Sequence, residues 1–423
     1  MIPGIKLAGF PRKFLLGPGV LGASGKIIKA AIKKPLVIGG RRATAAAEKA
    51  GLFSALEKEG VPYVRELFGQ PEYGPECCEP EIARLTKIGE ENGCDGVIAM
   101  GGGKVIDTGK AVAQNLGGNS VIVPTIAATD APTSALSVIY TTEHVFKEYW
   151  FQDWNPAAVI VDSKVVAEAP ARYLAGGMGD AFSKKYEGLA CVRTGSKNLL
   201  IKPDWIGGST DLTAMMAEEQ YRRLLRYGEL AMDAVRAHAV TPALEAIIET
   251  NILWSGIAFE STGLAAAHSV HNGMTILEHQ IPEEKRPIHG ELVAFGALTE
   301  MVTEDWPKEE LIENFVWCHK VGLPINFRDL GFKEGEPTDE DLWKAAEKAC
   351  AAAETIQTEF YMTYGAAADQ MGAYKLLVNG PELIFYAMKH VDQIGQRIAQ
   401  QVPRVPYEAK WVPYDAFIKK SRW

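Results

Sequence analysis

From residue 34 to residue 162, short β-branched apolar runs alternate with amphipathic stretches of helical period. "KPLVIGG" (34–40), "PYVRELFG" (62–69), "CDGVIAMGGG" (94–103), "SVIVPTIAATD" (120–130) and the start of "AAVIVDSKVVAEAP" (157–170) read as strands. "RRATAAAEKAGLFSALEKEG" (41–60), "PEIARLTKIGEENG" (80–93) and "KVIDTGKAVAQNLG" (104–117) read as the helices between them. Near-continuous apolar strands separated by helices predict a parallel sheet covered on both faces. After about residue 173 the period changes. "AMMAEEQYRRLLRYGELAMDAVRAHA" (214–239), "PALEAIIETNILWSGIAFES" (242–261) and "DEDLWKAAEKACAAAETIQTEF" (339–360) are long helical stretches with almost no strand signal between them. The expected architecture is an α/β domain with a parallel sheet over residues 1–172, Pro170 marking the boundary, and an all-α domain over residues 173–423. The opening segment, broken by glycine and proline, reads as an edge strand and turn. The tail from residue 402, rich in proline and aromatics, reads as a non-helical arm.

Composition narrows the partners. Hydrophobic residues make up 47% of the 423 positions, charged residues 23%, and the net charge is −9. That balance disfavours a nucleic-acid or anionic-membrane surface and suits small diffusible substrates. No segment approaches the about 18 uninterrupted apolar residues of a membrane helix. Six scattered cysteines without a C-x-x-C spacing read as reduced cytoplasmic thiols acting as small hydrophobes.

Three stretches carry candidate chemistry. In "VIAMGGGKVIDTGKAVA" (97–113) a strand runs through Gly101, Gly102 and Gly103 into a helix, with Lys104 beside its start. Glycines admit close backbone approach and the helix N-terminus attracts an anion, so a phosphate site is favoured over a plain tight turn. The second stretch, "PTIAATDAPTSALSVIYT" (124–141), is a loop of small hydroxyl residues around Asp130, which is either a ligand contact or a turn cap. Loops at the carboxyl ends of parallel strands face one crevice. The third is "GLAAAHSVHNGMTI" (263–276), with His268 and His271 on one helical face, readable as a buried pair or as ligands. Asp180 in "AGGMGDAFSKKYE", where glycines lead into a helix, and His289 in "RPIHGELVAFGAL", just ahead of a helix, complete a candidate metal set with His268. Two imidazoles and one carboxylate leave an open position on zinc, and ferrous iron tolerates the same set. The remaining histidines, His144, His238, His279, His319 and His390, read as solvated surface.

Together these motifs resemble the glycerol dehydrogenase family of the iron-containing alcohol dehydrogenase and dehydroquinate synthase-like superfamily. The resemblance rests on "GGGKVIDTGKAVA", "VIVPTIAATDAPTSALSVIYT", "GGMGDA", "VTPALEAIIE", "SGIAFESTGLAAAHSVHNGMT", "HGELVAFGALTE" and "VGLPI", in family order, with weaker echoes in "AAAETI" and "DQIGQRI". It implies that Asp180, His268 and His289 hold zinc and that Gly101, Gly102, Gly103 and Lys104 face the pyrophosphate of NAD. It further implies that Thr125, Ala128, Ser134, Leu136 and Tyr140 line the cofactor, and that Asp130 meets a polyol. His271 would stand behind His268 as a supporting or proton-relay group. The implied reaction is reversible oxidation of a secondary alcohol in a small polyol, glycerol to dihydroxyacetone first. A cytoplasmic homo-oligomer, octamer or dimer, is the implied assembly.

The chain also departs from the family. Where sister alcohol dehydrogenases carry a fourth ligand, a histidine four residues after the aspartate, this chain has Lys184, as a three-ligand site would allow. At the end of the first central strand, Gly40 stands where an acid would grip the ribose 2′-hydroxyl, followed by Arg41 and Arg42. Two arginines there suit a 2′-phosphate, so NADP is a second cofactor candidate. "NLLIKPDWIGGS" (198–209), 378–391 and 402–423 look like altered or added segments. Other readings are a dehydrogenase of glycerol-1-phosphate or another small alcohol, kept open by Lys184, Lys185 and Arg193, a dehydroquinate-synthase-like lyase, and a retired scaffold. The lyase needs a cluster of cations that "AAAHSVHNGMT" and "IHGELVAF" lack.

Overall fold

The computed structural model describes residues 5–71, 74–200, 207–351, 354–358 and 380–408. Six strands form one all-parallel sheet: β1 (Phe14–Gly17), β2 (Pro35–Gly39), β3 (Val64–Leu67), β4 (Gly96–Gly101), β5 (Asn119–Pro124) and a last strand, Ala158–Asp162. Between β5 and that last strand lies an antiparallel hairpin, β6 (Leu136–Tyr140) and β7 (Phe146–Phe151), which makes the last strand β8. The sheet order is β1-β8-β5-β4-β2-β3, with the opening segment supplying the edge strand β1 as expected.

Strand side chains alternate between two cores, as the pleat requires. Leu36, Ile38, Val97, Ala99 and Ile122 face one; Val37, Ile98, Met100, Val121 and Val123 face the other. The second core is closed by α1 (Gly25–Ala31), α2 (Arg41–Lys49) and α3 (Leu52–Lys58), through Ile28, Ala47, Leu52 and Leu56. The first is covered by α4 (Glu79–Glu91) and α5 (Gly103–Asn115) and runs on into the helical half. A short α6 (Ser163–Ala167) follows β8, its first turn capped by Asp162.

Among the described residues no strand follows Asp162. The helical half comprises α7 (Ala171–Thr194), α8 (Asp211–Arg236), α9 (Pro242–Glu249), α10 (Ser255–Thr262), α11 (Ala266–Thr275), α12 (His289–Thr303), α13 (Lys308–Val321), α14 (Asp339–Ala349) and α15 (Gly380–Gln401). Two helices, α7 and α12, meet through main chain rather than through side chains. A Cβ on Gly290 of α12 would stand 1.8 Å from the Gly176 carbonyl of α7, and one on Gly179 would stand 2.2 Å from the Gly290 carbonyl. Likewise a Cβ on Gly177 would meet the Ala127 carbonyl at 1.9 Å, which seats α7 against the loop leaving β5. The run "AGGMGDA" therefore lies inside a helix instead of leading into one.

Several expectations change. The stretch 41–60 is two helices, because Gly51 takes a left-handed conformation (φ +88°) between α2 and α3. The 124–141 loop contains β6, whose partner β7 the apolar pattern did not reveal. The 242–261 helix widens into a π-helical turn over Thr250–Trp254, and the helix from residue 339 ends at Ala349. His319 is buried, its Nε2 2.9 Å from the Val402 carbonyl, because α13 packs on α15 and the chain that follows it; it is not surface. Residues 201–206, 378–379 and 409–423 of the segments read as altered or added lie outside the described residues.

Candidate metal centre and cofactor cleft

A cavity of about 470 Å³ opens between the carboxyl ends of β4 and β5 and the helices α11 and α12. Eleven of the sixteen expected site residues line it: Gly102, Gly103, Lys104, Ala128, Asp130, Ser134, Leu136, Tyr140, His268, His271 and His289. The other five stand apart from its wall. Gly101 makes the turn out of β4 (φ +145°), and Thr125 donates its N–H to the Gly101 carbonyl at 3.1 Å. Asp180 is fully buried behind the wall, and Arg41 and Arg42 are exposed at the start of α2.

At the mouth, Gly102 precedes the first turn of α5, so unpaired N–H groups and the positive helix end face the cavity. Lys104 Nζ lies 2.7 Å from Glu76 Oε2, which also meets His144 Nδ1 at 2.9 Å. Further in, the 130–135 segment is tied down by Glu260. Its Oε1 accepts the Ala135 N–H and its Oε2 accepts Asn155 Nδ2, each at 2.6 Å. Burial raises the Glu260 carboxyl to about 7.

At the floor, α7, α11 and α12 bring together Asp180, His268 and His289, with one ligand atom of each within 4.8 Å of the others. His268 Nδ1 meets Glu187 Oε2 at 2.8 Å, and the second oxygen of Glu187 accepts the N–H groups of His268 and Ala265. A carboxylate on Nδ1 keeps the proton there and turns the Nε2 lone pair into the floor, 3.6 Å from Asp180 Oδ1 and 3.5 Å from Lys184 Nζ. His289 is oriented the same way at one remove. Its Nδ1 is 3.0 Å from His271 Nε2, and His271 Nδ1 is 2.9 Å from the Asn272 side-chain oxygen. Since that oxygen only accepts, His271 donates from Nδ1 and accepts at Nε2 from His289. His289 Nε2 is left bare, 3.8 Å from Asp180 Oδ2. Asn272 is held in turn by Glu354 at 2.7 Å.

The electrostatics suit a cation. Asp180 Oδ2 is buried with no hydrogen-bond partner, an arrangement that costs about 1–3 kcal/mol or more unless a positive group completes it. Burial opposes the Asp180 charge, but Lys184, His268 and His289 hold its carboxyl well below the usual range. Burial pushes His271 down, reinforced by His289 and His268, and lowers His289 to about 4, so both imidazoles are neutral and able to accept or ligate. Asp130 is raised by burial and by the neighbouring Asp180 charge. Its Oδ2 accepts Ser255 Oγ–H at 2.7 Å.

Two participants were not read from the sequence: Glu187 orients His268, and Glu76 holds Lys104. Lys184, read as the residue in place of a fourth ligand, enters the floor itself. Asp180, Lys184 and Glu187 recur on one face of α7 at helical spacing, a signal the sequence did contain.

A parallel sheet with a glycine-to-helix mouth, facing a two-histidine, one-carboxylate floor, defines a metal-dependent dehydrogenase of the dinucleotide-binding kind. The family model for iron-containing alcohol dehydrogenase matches residues 11–163. Glycerol dehydrogenase of Escherichia coli O6:H1 is 41% identical over 92% of this chain and 98% of its own length. Glycolaldehyde reductase of Halobacterium salinarum is 41% identical over 77% of this chain and 82% of its own. The crystal structure of glycerol dehydrogenase from Schizosaccharomyces pombe superposes with a TM-score of 0.81 at 29% identity, covering 96% of each chain. The chain belongs to the glycerol dehydrogenase family of iron-containing alcohol dehydrogenases.

Proposed function

We propose that this protein reversibly oxidises the secondary hydroxyl of a small polyol, glycerol first, using NAD and a zinc ion held by Asp180, His268 and His289. The observation that carries the reading is the convergence of those three residues, with an unsatisfied Asp180 oxygen, on the floor of the same cavity that the α5 N-terminus enters. Residues 1–172 supply the dinucleotide side and residues 173–423 the metal side. When loaded, the cation supplies Lewis acidity to the reacting hydroxyl and the nicotinamide supplies the hydride acceptor.

The chain's own residues do the rest. Gly102, Gly103 and Lys104 receive the pyrophosphate, with Gly101 and Thr125 shaping the turn beneath it. Ala128, Ser134, Leu136 and Tyr140 wall the nicotinamide side, and Asp130 hydrogen-bonds a substrate hydroxyl. His271 fixes the His289 ring through its Nε2, so its role is positioning rather than carrying a proton outward. Arg41 and Arg42 favour some use of NADP. A small hydroxyaldehyde is the second substrate class, favoured by the 41% identity to glycolaldehyde reductase. Cysteines without disulfides suit a cytoplasmic protein, and the family resemblance points to a homo-oligomer.

An initial-rate assay on zinc-replete protein, crossing NAD and NADP with glycerol, 1,2-propanediol and glycolaldehyde, tests the reading. Glycerol turnover with NAD is expected. Silence toward every diol and hydroxyaldehyde, with metal content verified, overturns it.

A further inference from the structure

Lys184 projects from α7 one turn beyond Asp180 into the metal floor, and its side chain is 1% exposed. Its ammonium lies 2.6 Å from Asp180 Oδ1, 3.3 Å from Asp130 Oδ2 and 3.5 Å from His268 Nε2. Its nearby oxygens on its own helix are the Asp180 carbonyl at 3.1 Å and Ser183 Oγ at 3.4 Å. Glu187 occupies His268 Nδ1, so the nitrogen that Lys184 approaches is the one left for a metal. The lysine therefore engages two of the three ligand residues, and the third side chain it meets is the acid that faces substrate. A charged amine fully removed from water is costly unless acids surround it, and here they do.

We propose that Lys184 is a resident cation of this centre. It competes with the divalent ion for Asp180 and His268, holds Asp130 in place beside them, and sets how tightly the ion binds. The inference rests on the metal reading above and goes beyond it, since it concerns affinity and the ion-free state rather than ligand identity. Two consequences follow from charge and geometry. Loading an ion requires Lys184 to give up the His268 lone pair, so affinity is lower than three good ligands alone would provide. In the ion-free protein the ammonium keeps one Asp180 oxygen and one Asp130 oxygen compensated, so the floor keeps its shape.

The test is zinc affinity of chelator-stripped protein, measured by competition with a chromophoric chelator, for wild type, Lys184→Met, Lys184→Gln and His268→Ala. Lys184→Met is expected to bind zinc at least tenfold tighter than wild type, and Lys184→Gln, which keeps a donor without the charge, to fall between. Zinc should also raise the melting temperature of Lys184→Met more than that of wild type, because its stripped form has lost the internal cation. Equal or weaker zinc binding in both lysine variants, with binding abolished in His268→Ala, overturns this proposal and leaves the metal centre intact. No zinc binding by wild type or either lysine variant overturns both. If neither variant folds, a zinc-loaded structure of wild type decides. Lys184 Nζ withdrawn from His268 Nε2 supports the proposal, and Nζ still hydrogen-bonded there beside a bound ion refutes it.

Discussion

Two lysines in this cleft are each paired with an acid at nearly the same distance, yet they sit in opposite circumstances. Lys104 is 56% exposed and 2.7 Å from Glu76; Lys184 is 1% exposed and 2.6 Å from Asp180. Water screens the first pair, so its ammonium swings to an incoming phosphate at little cost. The second has no water to fall back on. Burial works against the Lys184 charge, but Asp130 and Asp180 outweigh it and raise its pKa above the ordinary lysine value. Pairing distance says little about what a charge is free to do; the surrounding dielectric decides it.

Removing the buried partner should break the contrast most severely. Asp180→Ala should lower stability by about 3–5 kcal/mol, since it leaves Lys184 short of an acid, and should abolish metal binding and turnover. Denaturant unfolding with metal analysis reads both; a loss below 1 kcal/mol would mean that Asp130 alone suffices for Lys184. A second buried charge, Glu260, sharpens the point because two neutral amides are its direct partners. Its carboxyl titrates near 7 in the fold against 4.5 in an open chain, so the native state holds the extra proton between those values. Native stability should therefore fall as pH rises from 4.5 through 7, by roughly 3 kcal/mol in full. Unfolding free energies at pH 5 and pH 8 should show this slope in wild type and lose that part in Glu260→Gln. Parallel slopes would remove Glu260 as its source.

At the exposed pair the effects are smaller. Lys104→Met should raise the dinucleotide dissociation constant about tenfold, near 1.4 kcal/mol, with little change in melting temperature. Fluorescence titration at two salt concentrations checks it, and the wild-type advantage should shrink at high salt. Glu76→Gln, which frees Lys104, should tighten dinucleotide binding by about threefold. Weaker binding instead would show that Glu76 serves the loop and not the lysine.

The parts of the molecule visible in the sequence were those with a strong local period or an unusual spacing. β2, β4, β5 and β8 were legible because both faces are buried, and GGGK was legible because three glycines exceed what a turn requires. The three metal ligands stood out through residue type and family resemblance, but their convergence depends on packing among α7, α11 and α12. The β6–β7 hairpin was hidden because small hydroxyl residues precede "LSVIY" and β7 has exposed aromatic and charged positions. His319 was misread because its own helix looks polar, while α15, some 70 residues later, covers it. Lys184 was read as standing in for a missing ligand and as a cation for a phosphorylated substrate, not as a partner of Asp180, since nothing local tells whether a lysine four residues past an aspartate points at it or at solvent.

The glycine contact between α7 and α12 has a consequence for how this centre changes over time. Gly179 immediately precedes Asp180 and Gly290 immediately follows His289, so the separation of these two ligand-bearing backbones is set where atoms are already touching. It works as a hard stop rather than a spring. Apolar neighbours such as Met178 and Phe295 are free to drift in size and shape without re-gauging the pair. A smaller ion cannot be met by drawing α7 and α12 together, so the ligand side chains themselves must close on it.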